Sequence, residues 1–346
     1  SAVASQAIVR YGEVKALHGG TTTGQGIRSQ VEGGVSIFKG AMRNVEETDD
    51  PRLPEAGTRV PDLGLSPNDI QSFKNGLSRR KAYFYHLAEG TGSTAQKRFS
   101  DLEKNGLIQE SLVGIHSLGL MAEDLGLMAR MKAKVVWSPF SNLLLYGRTL
   151  DLKSLKESGA LFSIGCDWSP SGGKNLLQEL KVARYVNEMQ GSVYSSQDLA
   201  RAVTSNPSQI LGWEEYLGTI KPGALADLTI LAGGAGDPYD QLIDATENDI
   251  QLVVVHGTPR YGTESIMRGI HGLEDKYLEK IEIGGKERLL YLYSPGSKIN
   301  ELTFAQSKKT LQEAMSDLPA FRQAIQEENR LLRAMGIKEE EKFRII

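Results

Sequence analysis

Only one cysteine, Cys166, occurs in the 346 residues, so no intrachain disulfide can staple the fold. That usage fits a reducing compartment, and a cytoplasmic location is the expectation. No stretch approaches the roughly 20 consecutive apolar residues of a membrane-spanning helix. The first residues, Ser-Ala-Val-Ala-Ser, show neither an initiator methionine nor a secretory leader. An excess of charge is also missing: 40 Lys and Arg against 43 Asp and Glu leave a net −3. This gives no electrostatic footprint for nucleic acid or an anionic membrane, and a small-molecule substrate is the expected partner. There is no internal repeat, and the pairs Gly19-Gly20, Gly33-Gly34 and Gly172-Gly173 lack the spacing of a phosphate-binding loop. What is present is an ordinary globular composition, 40% hydrophobic and 24% charged, long enough for one large domain and something smaller.

The middle of the chain alternates short apolar runs with amphipathic ones. Ala82–His86, Leu112–His116, Lys134–Trp137 and Leu161–Cys166 read as strands, separated by helices over Thr94–Asn105, Ala122–Met131, Asp151–Ser158 and Asn175–Glu188. This rhythm predicts an α/β fold whose parallel sheet is covered on both faces or closed into a barrel. Thr21–Gln25 and Ser36–Asn44 suggest two earlier strands. Glu46–Pro67 reads as a long loop before a helix from about Asn68 to Arg79, with Ser66 or Asn68 as cap and Pro67 in the first turn. Ser196–Leu211 reads as a helix broken at Pro207, and Leu217–Leu231 as two strands around a Pro-Gly turn. Ile250–Val255 is a strand followed by a turn at Gly257-Thr258-Pro259, Lys280–Leu292 a hairpin turning at Gly284-Gly285, and Ala305–Met315 and Pro319–Met335 are helices. The expected division is a barrel over 1–212, part of a small β-sandwich over 213–262, and an extension over 263–346. The apolar positions of its two helices pack on the barrel or on a second subunit, which makes a homodimer the expected assembly.

Four polar residues stand where predicted strands end: His86 and Glu89, His116, and Asp167. That edge of a parallel barrel is where active sites are built. Imidazoles with one carboxylate suit a catalytic divalent metal, which makes water acidic enough to react near neutral pH, while a nearby carboxylate such as Glu89 shuttles the proton. A single strand-end histidine is more often a packing residue. Two histidines and an aspartate at three successive strand ends reverse that balance. His18, His256 and His271 sit beside glycines and read as turn or helix-end residues. Trp137, Asn142, Tyr146 and Trp168 are the expected substrate-lining residues, with ordinary core packing an equal alternative for Trp137.

Taken in order, these segments resemble the amidohydrolase superfamily, in particular its cytosine and guanine deaminase and triazine chlorohydrolase subgroup. Gly19-Gly-Thr-Thr22 resembles the second-strand motif, His86-Leu-Ala-Glu89 the fifth-strand motif, and His116 the sixth-strand histidine. Trp137-Ser-Pro-Phe-Ser-Asn142 and Gly165-Cys-Asp167 resemble the seventh and eighth, and Leu217 to Asp227 the return to a flanking sandwich. The resemblance implies a (β/α)8 TIM-like barrel and one divalent metal, zinc or iron. It implies His86, His116 and Asp167 as metal-site residues, with Glu89, His116 and Asp167 in the catalytic roles.

Two departures stand out. The subgroup's first-strand His-x-His has no counterpart in these residues. The first strand is therefore expected to lie outside this chain, since a barrel short of one strand exposes two edges. The fourth strand is reduced to a segment near Thr58–Leu63 with no lysine to bridge two metals. The leading functional expectation is metal-dependent hydrolysis of a C–N bond, an amide, cyclic amide or amidine, in a small molecule. The alternative is a barrel that has lost its metal and serves as a scaffold.

Overall fold

The computed structural model describes residues 2–26, 40–48 and 50–316, with residues 319, 323 and 327. The described residues form two compact units, one within 1–49, 227–230 and 250–346, the other of residues 50–226 and 231–249.

In the first unit, helix α1 (Ala2–His18) precedes a minimal parallel pair, β1 (Thr23–Gly24) and β2 (Arg43–Asn44). These two strands, expected as barrel strands, cluster with residues 250–346. The part of Ser36–Asn44 before residue 40 lies outside the described residues.

The second unit carries the βα alternation. Strand β3 (Gly57–Arg59) lies inside the stretch expected as loop and supplies the reduced fourth strand. Helix α2 (Pro67–Arg79) starts as its sequence predicts: Ser66 Oγ accepts from the Asp69 amide, and Pro67 occupies the first turn. There follow β4 (Tyr83–Leu87), α3 (Ser93–Lys104), β5 (Leu112–His116), α4 (Ala122–Arg130), β6 (Lys134–Trp137), α5 (Pro139–Tyr146), α6 (Leu152–Ser158), β7 (Phe162–Ile164) and α7 (Leu176–Met189). Strands β3 to β7 form one five-stranded sheet in chain order, every neighbouring pair parallel. That is the open arc of a (β/α) barrel, the fold class expected from the rhythm. Two helices follow, α8 (Ser196–Arg201) and α9 (Ser205–Leu211). The expected break at Pro207 falls instead at residues 202–204. Pro207 sits in the first turn of α9, where its missing N–H costs no intrahelical bond.

Register decides which face each strand residue serves. Tyr83 and Tyr85 pack edge-on against Phe73 of α2, so their parity marks the helix-covered face. Leu112 and Gly114 share it through the pairs Tyr83 with Leu112 and Tyr85 with Gly114. Val135, Trp137, Phe162 and Ile164 join Tyr85 and Leu112 in one buried apolar cluster under the helices. Phe84 and His86 point the other way.

The remaining strands are β8 (Leu228–Leu231), β9 (Ile250–Val255), β10 (Thr258–Gly262), β11 (Leu278–Ile283) and β12 (Lys286–Tyr291), with α10 (Pro238–Asp244) after β8 and α11 (Glu264–Gly269) after β10. Their sheet runs β11-β12-β10-β9-β8. Only the second strand expected in Leu217–Leu231 forms. The turn expected at Gly257-Thr258-Pro259 is tighter: His256 (φ 54°) and Gly257 (φ 71°) make it, as a two-residue hairpin with two left-handed positions requires, and Thr258 already belongs to β10. Because β12 pairs with β10, the sheet continues across residue 262, where the sequence placed a boundary. Helix α12 (Phe304–Ser316) matches its expectation and packs on α1, with Tyr11 and Phe304 stacked. The helix expected over Pro319–Met335 lies outside the described residues, apart from 319, 323 and 327.

Candidate active site

The candidate residues come from the C-terminal ends of β4 to β7. His86 is carried by β4 on the face away from the helices. By strand alternation His116 would point to the helix side with Leu112. Left-handed backbone at His116 (φ 66°) and Ser117 (φ 53°) breaks that alternation, and the His116 ring lies on the His86 ring, centroids 5.6 Å apart and tilted by 30°. Ala88 (φ 47°) turns the chain so that Glu89 returns toward the same place, and Asp167 (φ 62°) leaves β7 in the same conformation. Non-glycine residues adopt this region at a cost of about 1 kcal/mol or more, and such positions gather at functional sites.

Ligand-type atoms of His86, Glu89 and His116 lie within 4.8 Å of one another. The His116 Nε2 to Glu89 Oε1 distance is 3.7 Å. Asp167 is not part of this group. Its Oδ2 accepts hydrogen bonds from Ser141 Oγ (2.6 Å) and Ser171 Oγ (3.2 Å). It still acts on the group at longer range, since its charge raises the His86 pKa. The trio brought into direct proximity is therefore His86, His116 and Glu89, where the sequence had set Asp167 beside the histidines. The two serines explain the difference: they give the Asp167 carboxylate neutral donors of its own.

The protonation pattern of His116 follows from its partners. Trp137 Nε1–H is a pure donor and gives its proton to Thr149 Oγ1 (2.7 Å). Asn142 Nδ2 donates to the same oxygen (3.2 Å), which leaves Asn142 Oδ1 facing His116 Nδ1 at 3.0 Å. An amide oxygen only accepts, so Nδ1 carries a proton, and in the neutral ring the Nε2 lone pair lies on the side of Glu89. Burial lowers the His86 pKa and so favours its neutral form, and His116 pushes the same way against the opposing pull of Glu89 and Asp167. Tyr146 donates its hydroxyl to Glu89 Oε1 (2.9 Å), and burial together with that bond pushes the phenol up to about 12, so it stays a donor. Two imidazoles beside carboxylates fit the donor set of a borderline divalent metal.

The expected substrate-lining residues divide. Trp168 is 56% exposed and Tyr146 partly so. Trp137 is fully buried in the helix-side core, because it shares the parity of Val135, and Asn142 is fully buried on His116. Neither is open to solvent. Sequence reading missed Ser141, Thr149, Ser171 and Glu179. Ser141 lies within the seventh-strand motif without an assigned role, and Glu179 carried a legible signal, a carboxylate between Leu177 and Leu180 on the apolar side of α7. Thr149 and Ser171 carried none.

The sequence model of the amidohydrolase family matches residues 77–260, more than half of the chain. The chain belongs to the amidohydrolase family. It is similar to the 5-methylthioadenosine/S-adenosylhomocysteine deaminase of Pyrococcus furiosus, at 28% identity over 134 residues covering 38% of this chain and 32% of the relative. It is also similar to the deaminase of the same description from Caldanaerobacter subterraneus subsp. tengcongensis, at 27% identity over 193 residues, 52% of this chain and 44% of the relative. The match thus spans less than half the length of these curated relatives. Among solved structures, a zinc-bound adenosine deaminase from Xanthomonas campestris superposes with a TM-score of 0.63 at 18% identity, covering 75% of this chain and 69% of that one. Guanine deaminase of E. coli gives 0.54 at 21% identity, covering 62% and 56%. At such identities the likeness carries the fold, the TIM-like barrel of this amidohydrolase. Among the described residues no helix is long and apolar enough to cross a membrane.

Proposed function

We propose that this amidohydrolase chain carries the catalytic face of a metal-dependent deaminase that hydrolyses the exocyclic C–N bond of an aminopurine nucleoside or a related flat heterocycle. The observation that supports it is the convergence of His86, Glu89 and His116 within 4.8 Å at the ends of adjacent parallel strands. The deaminase relatives and the zinc-bound neighbour point to the same chemistry. His86, His116 and Asp167 would hold the metal, zinc as in the adenosine deaminase neighbour. When bound, the ion supplies a Lewis acid that makes water acidic enough to react near neutral pH.

The protein residues divide the remaining work. Glu89, fixed at Oε1 by the Tyr146 hydroxyl, takes a proton from the attacking water and delivers it to the leaving amino group. Asn142 holds His116 in the tautomer that presents Nε2. Ser141 and Ser171 orient the Asp167 carboxylate. The exposed Trp168 indole offers a face on which a purine stacks. A scaffold without metal is disfavoured, since left-handed backbone at His116 and Asp167 is a cost that binding alone does not require.

The test is ammonia release from 5′-methylthioadenosine, S-adenosylhomocysteine, adenosine and guanine by zinc-loaded protein. Release that disappears in Glu89→Gln while zinc is retained supports the reading. Protein that takes up zinc at these residues yet releases no ammonia from any of the four contradicts the deaminase assignment.

A further inference from the structure

Helix α5 touches three of the four candidate residues: Ser141 donates to Asp167, Asn142 accepts from His116, and Tyr146 donates to Glu89. The way its first turn is held therefore sets the site. Ser138 occupies the capping position, yet its side chain caps nothing, and its buried Oγ has no hydrogen-bond partner. The Phe140 amide donates instead to Glu179 Oε2 (3.1 Å), a carboxylate from α7. The other oxygen, Oε1, accepts from the Gly173 amide at 2.9 Å. Gly173 closes the loop that carries Ser171 onto Asp167, and its amide also reaches Cys166 O.

The fit leaves no slack. A Cβ on Gly173 would stand 2.4 Å from Glu179 Oε1, and one on Gly172 would stand 1.9 Å from Cys166 O. Glu179 is fully buried and forms no ion pair among the described residues. A carboxylate in such a place is a poor choice for stability: burial pushes it up to about 7, with Asp167 adding to the rise and the two amides pulling it down.

We propose that Glu179 is a positioning residue for the active site, its two oxygens tying the start of α5 to the loop after β7 so that Ser141 and Ser171 stay on Asp167. This deepens the reading above and rests on Asp167 belonging to the metal site. Glutamine at 179 keeps one acceptor oxygen but turns an NH2 toward an amide N–H, so one of the two ties is lost.

The experiment compares wild type, Glu179→Gln, Glu179→Ala and the packing control Leu180→Ala. Zinc affinity is read by chelator competition, amide exchange at Phe140 and Gly173 by NMR, and thermal stability at pH 8. Expected for Glu179→Gln is about tenfold weaker zinc binding, as for other residues that orient metal ligands. Faster exchange at one of the two amides and an unchanged or raised melting temperature should accompany it, because no charge remains to be buried. Leu180→Ala should melt lower with zinc affinity intact. Zinc affinity unchanged in Glu179→Gln, or reduced only as far as in Leu180→Ala, overturns the proposal. Should the wild type take up no zinc, the metal reading fails by itself. Exchange then still judges the tie, and amides in Glu179→Ala as protected as in wild type overturn it.

Discussion

Replacing Asn142 by leucine probes the logic of the site most sharply. The substitution keeps approximate volume in a fully buried place and removes the hydrogen-bond partner that His116 Nδ1 has among the described residues, 3.0 Å away. His116 is itself 1% exposed, so water does not substitute. Leaving a buried donor unpaired costs about 1–3 kcal/mol. Thr149 loses the weaker of its two contacts but keeps Trp137. A net loss of about 2 kcal/mol in a unit of this size lowers the melting temperature by about 4–8 °C. The decisive signal is the tautomer: ring-nitrogen NMR of metal-free protein should show the proton on Nδ1 of His116 in the wild type and partly on Nε2 in Asn142→Leu. A melting temperature within about 1 °C of wild type, with the proton still on Nδ1, would refute the reasoning.

Tyr146→Phe removes one hydrogen bond to Glu89 from a partly exposed ring, so stability should change by less than about 1 kcal/mol, while ammonia release falls at least tenfold in kcat. Gly172→Ala places a methyl group against Cys166 O and forces the Asp167 loop to move; circular dichroism should show a native fold and chelator competition a loss of zinc affinity. Glu179 predicts a pH dependence of stability. Its folded pKa is raised from 4.5 to about 7, so the folded state binds the proton more tightly, and the resulting stability is full below about pH 4.5 and lost as pH rises through about 7. The shift corresponds to about 3 kcal/mol, so urea unfolding of metal-free protein should show wild type losing stability relative to Glu179→Gln between pH 5 and 8. Parallel curves over that range would contradict it.

The βα alternation was readable because each strand is a compact apolar run and some helices open on a capping side chain, such as Ser66 on α2 and Asn175 on α7. The strand-end histidines and Asp167 stood out because polar residues there have no core role. What stayed hidden depends on register and backbone sign. Trp137 looked like a pocket wall, yet its parity with Val135 sends it under the helices. His116 has the parity of a helix-facing residue, and only the left-handed turn at 116 and 117 returns it to His86. The short β3 showed only as a reduced strand near Thr58–Leu63, because three residues paired along one neighbour leave little periodic signal to fix its bounds. The supporting residues Ser141, Thr149 and Ser171 are small hydroxyls whose roles exist only once the loops are folded.

One metal shared by residues from the strand ends is the core of the proposed site, and anomalous diffraction at the zinc edge from crystals grown with zinc tests it directly. A single strong peak among His86, His116 and Asp167, within reach of Glu89 and absent from His86→Ala protein, is the predicted result. Zinc bound elsewhere on the chain, with His86 and His116 free of metal, would contradict it.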